Sequence, residues 1–241
     1  MKWIPIKTSV LRPPRQNLYP ILDGFLPKLQ NRDILIVASK VAAIHQGRCV
    51  HKKEVKAKQN LILKEADSWI DSQVENKEPF LLTIKEHTLI PSAGIDESNA
   101  GDYYVLWPKE VNRFAKELAK YLKKKNRIRN LGVLIVDSHT VPMRYGVLGI
   151  CIGFWGMKPI ADHAGKEDLF GRKQEYSKTN VVDALAAFSG LLMGEGKEGV
   201  PLLIARDMPN IVFTEAVDYN QLWIPREKDL YEPLLRSFNS F

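Results

Sequence analysis

The chain has 241 residues, of which 45% are hydrophobic and 26% charged, and it carries a formal net charge of +7. That composition suits a globular protein long enough for a packed core, and it excludes a collagen, a coiled coil, a disulfide scaffold and wholesale disorder. The longest uncharged stretches, residues 145–157 and 184–194, fall short of the ~18–20 apolar residues of a membrane helix, and glycine interrupts both.

The start, Met1-Lys2-Trp3-Ile4-Pro5-Ile6-Lys7, has no apolar core and no small-residue cleavage site, so no secretory signal is expected. A β-branched run predicts a strand at 34–38. Residues 55–72 predict a helix with Leu61, Leu63, Ala66, Trp69 and Ile70 on its apolar side. Strands follow at 80–84 and 103–107. Val111, Phe114, Ala115, Leu118, Ala119 and Leu122 then form one stripe at helical period, backed by Lys116, Lys120 and Lys123. The polar stretch 126–130 is the expected linker between two lobes. Strands are predicted at 132–136 and 147–154. A helix from about Asn180 to Met193 is apolar on most faces and so expected to be buried, with Thr179 or Asn180 as its cap and Gly194 as its end. Strands at 202–205 and 211–214 complete the reading. Strands and helices mix without strict βαβ alternation, which favours an α+β fold. Cys49 and Cys151 form no CxxC pair, and a reduced, cytoplasmic protein is expected.

Several motifs lack the context their chemistry needs. Gly194-Glu195-Gly196-Lys197-Glu198-Gly199 spells G-x-G-x-x-G, but a helix precedes it and Pro201 with a strand follows, the reverse of a dinucleotide-binding turn. It is either a plain helix-to-strand turn or a turn whose N–H groups cradle phosphate. The five histidines show no paired metal spacing. Lys123-Lys124-Lys125 with Arg127 and Arg129 reads as a solvated helix end or as a patch for nucleic-acid phosphates.

Three fragments carry more chemistry. Asp137 ends the run Gly132-Val133-Leu134-Ile135-Val136, and Ser138 follows it. A carboxylate and a hydroxyl at the mouth of a buried strand suit a hard cation, or simply a turn. The loop 91–99 holds Asp96, Glu97 and Asn99. The loop 161–172 is rich in charge and glycine, with Arg172 after Gly171; a basic side chain there grips phosphate or carboxylate, unless the loop is plain surface. A divalent cation shared between facing carboxylates removes a repulsion of ~4 kcal/mol at 4 Å and an effective dielectric of 20.

In order along the chain stand Ile36-Val37-Ala38-Ser39-Lys40 with Gln46-Gly47-Arg48; Ala93-Gly94-Ile95-Asp96-Glu97-Ser98-Asn99; Val136-Asp137-Ser138 with Pro142 and Arg144; Asp162, Gly165, Asp168 and Gly171-Arg172; Thr179, Asp183 and Ala184; and Met193-Gly194-Glu195 with Gly199-Val200-Pro201. From Asp33 to Arg206 the chain thus resembles the coenzyme F-420 gamma-glutamyl ligase family, enzymes that add L-glutamate to a deazaflavin coenzyme precursor using GTP. The resemblance implies a two-lobed α+β fold that pairs into a homodimer, with its sites near the interface. It implies Mg²⁺ or Mn²⁺, one or two ions, held by Asp96 and Asp137, with Ser138 in place of the usual threonine and Glu195 in place of the usual glutamine. It implies nucleotide contacts at Ser39, Lys40 and Asn99 and in the turn of Met193, Gly194, Gly196, Lys197 and Gly199. Arg144 and Arg172 are the candidates for gripping an anionic acceptor or the glutamate carboxylate.

There are departures. Ile44 stands where the family has a nucleotide-contacting lysine, Val141 replaces an arginine and Met143 a tryptophan, and residues 7–12 align loosely with a leucine-proline nucleotide loop. They leave ATP open beside GTP and a folate open as acceptor, and they leave room for a relative that binds nucleotide without ligation. A different class, a basic RNA-binding protein acting through 123–129, would show steep salt dependence without turnover. Neither a membrane nor a nucleic-acid partner is expected.

Overall fold

The computed structural model describes residues 1–72 and 80–240. Its elements in chain order are β1 (Lys2–Ile6), α1 (Tyr19–Phe25), β2 (Asp33–Ala38), α2 (Ser39–Gln46), β3 (Cys49–His51), α3 (Lys58–Glu65), β4 (Ser68–Ser72), β5 (Phe80–Lys85), β6 (Thr88–Pro91), β7 (Tyr103–Val105), α4 (Val111–Asn126), β8 (Leu131–Thr140), β9 (Val147–Trp155), β10 (Ile160–Asp162), β11 (Lys178–Asn180), α5 (Val181–Met193), β12 (Leu202–Arg206), α6 (Glu232–Leu235) and β13 (Asn239–Ser240).

Five strands build the central sheet in the order β1-β12-β2-β8-β9. The β2–β8 pair is parallel and the other neighbours are antiparallel. The runs of β2, β8 and β12 are apolar at successive positions because both sheet faces are covered. Leu35, Val37, Val133, Ile135, Leu202 and Ile204 share a core with α2 and α4, while Ile34, Ile36, Leu134, Val136, Leu203 and Ala205 share the opposite one with α5. The predicted stripe of α4 is buried throughout. Asn180 caps α5 by accepting the Asp183 N–H, and Gly194 ends it. A buried ion pair ties the start of β2 to the end of β12: Arg206 donates to both Asp33 oxygens at 2.8 and 2.7 Å. A second sheet, β13-β4-β5-β6, covers a smaller core of Ile62, Ala66, Leu81, Ala93, Ile95 and Leu106. The result is a mixed α/β fold. Residues 127–130 join α4 to β8, with Ile128 packed against the larger core.

The structure corrects four sequence expectations. The helix expected over 55–72 is α3 followed by β4: Ala66 closes α3 in extended backbone, and Trp69 and Ile70 pair with Thr83 and Leu82 of β5. Residues 211–214 make one bridge, Met157 to Phe213, rather than a strand. The strand expected over 103–107 is the three-residue β7. The strand that was to end at Asp137 runs on to Thr140, because β9 returns antiparallel and pairs with it as far as Val147. Among the described residues no helix is long and apolar enough to cross a membrane.

Candidate active site

A solvent-open cleft of about 140 Å³ lies at the carboxyl ends of the parallel pair β2 and β8. That is where a crossover sheet leaves backbone groups and side chains free for a ligand. β2 runs straight into α2, so Ala38, Ser39 and Lys40 reach one wall. The far half of β8 brings Val136, Asp137 and Ser138. The end of α5 and the turn after it supply Gly190, Met193, Gly194, Glu195 and Gly196. The loop 91–99 adds Asp96, Ser98 and Asn99 from the smaller lobe.

That loop is held from below. The buried Thr83 hydroxyl donates to the Ile90 carbonyl and accepts the Ala93 N–H at 2.8 Å. Gly94 has φ +67°, and the Trp107 ring lies where its side chain would be, 2.3 Å from an ideal Cβ. Only glycine takes both the left-handed backbone and that contact. Asn99 Nδ2 donates to the Gly196 carbonyl at 2.9 Å, tying the loop to the glycine turn across the cleft.

The polar groups balance charge against burial. Lys40 Nζ sits 2.7 Å from Asp96 Oδ2 and donates to the Ser98 carbonyl at 2.6 Å. Burial acts to raise Asp96, but the Lys40 ammonium and the Ser98 donors outweigh it and hold the carboxyl below its ordinary range. Burial pushes Asp137 up to about 7, although the Ser138 N–H at 2.8 Å and the Ser39 hydroxyl offset part of the rise; the Asp96 charge adds to it. Burial also raises Glu195, against a hydrogen bond from Ser138, with the charge on Asp96 again adding to the rise. Asp96 thus works electrostatically on both other carboxyls.

Asp96, Asp137, Ser138 and Glu195 all present oxygen to the cleft, the donor a hard divalent cation takes, and such a cation would relieve the burial and repulsion that raise Asp137 and Glu195. Among the described residues no three histidine, cysteine, aspartate or glutamate side chains gather around one point.

Of the residues singled out in the sequence, Ser39, Lys40, Asp96, Asn99, Asp137, Ser138, Met193, Gly194, Glu195 and Gly196 line this one cleft. Lys197 and Gly199 are exposed beyond the lining, with Gly199 accepting the Thr8 N–H at 3.2 Å, so the N-terminal stretch does meet the glycine turn. Arg144 lies exposed between β8 and β9, and Arg172 lies exposed between β10 and β11; neither lines the cleft. Ile44 is buried in the main core, away from the lining, whereas Lys40 faces the cleft. The sequence reading missed Gly149 and Gly190, which form part of the wall. An ideal Cβ on Gly149 would lie 2.1 Å from the Ala186 carbonyl oxygen of α5, and one on Gly190 would lie 3.2 Å from the Gly149 nitrogen. A glycine inside a strand and another inside a helix are the signal for such a close approach.

A family model described as F420-0:Gamma-glutamyl ligase matches residues 6–207. The chain is 30% identical over 227 residues to the coenzyme F420:L-glutamate ligase of Methanosarcina barkeri, covering 87% of this chain and 86% of that protein. It is 32% identical over 198 residues to that of Methanosarcina mazei, covering 75% and 76%. It is 29% identical over 226 residues to that of Methanocaldococcus jannaschii, covering 88% and 86%. A match that takes in every wall of the cleft, with relatives aligned over most of their length, places the chain in the F420-0:gamma-glutamyl ligase family.

Proposed function

We propose that the cleft carries out a nucleotide- and divalent-metal-dependent ligation that joins the amine of L-glutamate to a carboxylate of a coenzyme, with the F420 precursor as acceptor. Membership of the family makes the chain a ligase that forms amide bonds. The observation that carries the finer reading is the meeting of Asp96, Asp137, Ser138 and Glu195 with Lys40 and the glycine turn in one cleft.

Amide formation from a carboxylate needs a leaving group. A nucleoside triphosphate supplies it: an acceptor carboxylate oxygen attacks the terminal phosphorus, the nucleoside diphosphate leaves, and the glutamate nitrogen then displaces phosphate from the acyl carbon. When bound, Mg²⁺ or Mn²⁺ neutralises phosphate oxygens and the charge that develops in transfer. Asp96 and Asp137 would hold it, with Ser138 and Glu195 beside them. Lys40, now on Asp96, has the reach and the charge to meet a phosphate oxygen instead. The Gly196 N–H now donates to the Glu198 carboxylate, and a phosphate oxygen would take that carboxylate's place. GTP is the nucleotide this reading favours, with ATP as the alternative. The same reading pairs the chain with a second copy. Met143 and Tyr145 on one arm and Leu169 and Phe170 on another are all at least 95% exposed, more apolar surface than isolated loops ordinarily show.

The test is incubation of the protein with Mg²⁺ or Mn²⁺, GTP or ATP, L-glutamate and either F420-0 or a reduced folate, followed by mass spectrometry. A deazaflavin product heavier by one glutamate residue is expected. A folate product alone would move the acceptor, and nucleotide binding with no product in either arm would defeat the ligase reading.

A further inference from the structure

Three anionic substrates have to share a cleft whose lining holds three carboxylates, Asp96, Asp137 and Glu195, and one ammonium, Lys40, already engaged by Asp96. Arg144 and Arg172 are not in that lining. Two further ammonium groups pair with Glu97 of the loop whose Asp96, Ser98 and Asn99 line the cleft. β3 and β7 form a short ribbon, and the turn after β3 carries Lys52, whose N–H donates to the Asp102 carbonyl at 2.8 Å. Lys58 is the first residue of α3. Both side chains converge on Glu97: Lys58 Nζ is 2.5 Å from Oε1 and Lys52 Nζ is 3.5 Å from Oε2. Both also lie over the Tyr104 ring, at 5.6 and 5.8 Å from its centre. Glu97 is flanked in sequence by Asp96 and Ser98, which line the cleft. The two lysine side chains are 36% and 33% exposed.

The arrangement leaves one charge in surplus. Two ammonium groups face a single carboxylate, and the Tyr104 ring stabilises the pair of like charges from below. Each keeps enough open surface to meet an incoming anion. An anion approaching the acidic lining is drawn toward these ammonium groups and toward Lys40.

We propose that Lys52 and Lys58, steadied by Tyr104, form the subsite that binds an anionic group of the acceptor remote from its reacting carboxylate, and that Glu97 holds the two ammonium groups in place until the acceptor displaces it. The inference rests on the ligase reading and supplies the acceptor-binding charge that the two arginines do not. Lys52 and Lys58 are binding residues in it, with no part in the chemical step.

The experiment compares wild type, the double variant Lys52→Ala/Lys58→Ala, and Glu97→Gln. KM is measured separately for F420-0, nucleotide and L-glutamate, and equilibrium dialysis of F420-0 is run without nucleotide. The double variant is expected to raise the acceptor KM about tenfold, with nucleotide and glutamate KM and kcat near wild type. Loss of both charges is also expected to flatten the salt dependence of acceptor binding. Glu97→Gln is expected to lower the acceptor KM about threefold. An unchanged acceptor KM in the double variant overturns the proposal. If wild type binds F420-0 but ligates nothing, the ligase reading fails and the dialysis alone decides: weaker binding in the double variant keeps the subsite, and equal binding removes it. If wild type neither binds nor ligates F420-0 or a reduced folate, both fall.

Discussion

A carboxyl held near pH 7 inside a protein is a stability cost that the site imposes on the fold. The folded chain binds the Asp137 proton up to about 7, whereas an ordinary aspartate releases it at 3.8. Between those values the native state carries a proton the unfolded state has lost, so stability falls as pH rises through that window. The contribution is fully present below 3.8 and gone above 7. Asp137→Asn removes the ionisable group. In protein stripped of metal with a chelator, the variant is expected to melt several degrees above wild type at pH 8 and together with it at pH 4; the bound on the gain is about 4 kcal/mol. Ligation is expected to vanish. Equal melting at pH 8 would show that Asp137 bears no such burden, and full activity would remove it from the site. At this scale the sequence was readable for Asp137 and Ser138 as oxygen groups at a strand end and for Asp96 as a loop carboxylate; Glu195 entered only through the family resemblance, and the four line one cleft. It was unreadable where meaning depends on a distant partner. Asp33 looks like the polar start of a strand, and its ion-pair partner Arg206 stands 173 positions away.

Elements place these residues, and one close contact that does so lies between β9 and α5. α5 rests on bare backbone at Gly149, and its C-terminal end delivers Met193 and the turn to Gly196. Gly149→Ala puts a methyl group 2.1 Å from the Ala186 carbonyl, so the helix must lift. Nucleotide affinity is expected to fall about tenfold or more in Gly149→Ala, as read by titration calorimetry. Gly190→Ala, whose Cβ would meet the Gly149 nitrogen at 3.2 Å, is expected to cost much less. Equal affinities in the two variants would mean that this contact does not set the position of the turn. Elements with a long period were legible: the α4 stripe, the span of α5 and the apolar runs of β2, β8, β9 and β12; the expected burial of α5 holds on one face only, since Leu191 is 78% and Phe188 43% exposed. Short polar strands were not, since Lys178, Thr179 and Asn180 of β11 are all exposed and leave no pattern of burial to read. α3 and β4 merged in the reading because Trp69 and Ile70, two strand residues on opposite faces, happen to continue a helical stripe.

At the scale of the whole molecule, the segment after β12 links the two sheets whose residues meet in the cleft. It first lies along the central sheet, where Thr214 donates to the Gly156 carbonyl at 3.1 Å, Phe213 packs under Arg32 and Tyr219 meets Phe154. It then crosses over: Trp223 stacks on His87 with ring centres 5.3 Å apart, and β13 pairs with β4. One sheet carries Asp137 and the other supports the loop of Asp96. Trp223→Ala is expected to speed amide exchange in β4, β5 and β6 and to leave β2 and β8 unchanged; exchange unaltered in all five would show that the crossing segment bears no load. The register of the central sheet has a different consequence, one of timing. Lys2 pairs with Arg206, and β12 lies between β1 and β2. β1 therefore waits beside an empty slot until β12, the last of these five strands in chain order, is made. At about 5–20 residues per second that interval is tens of seconds, during which two apolar edges stay exposed to whatever the cell offers them. In a nascent chain the central sheet thus stays open between β1 and β2 until β12 has emerged.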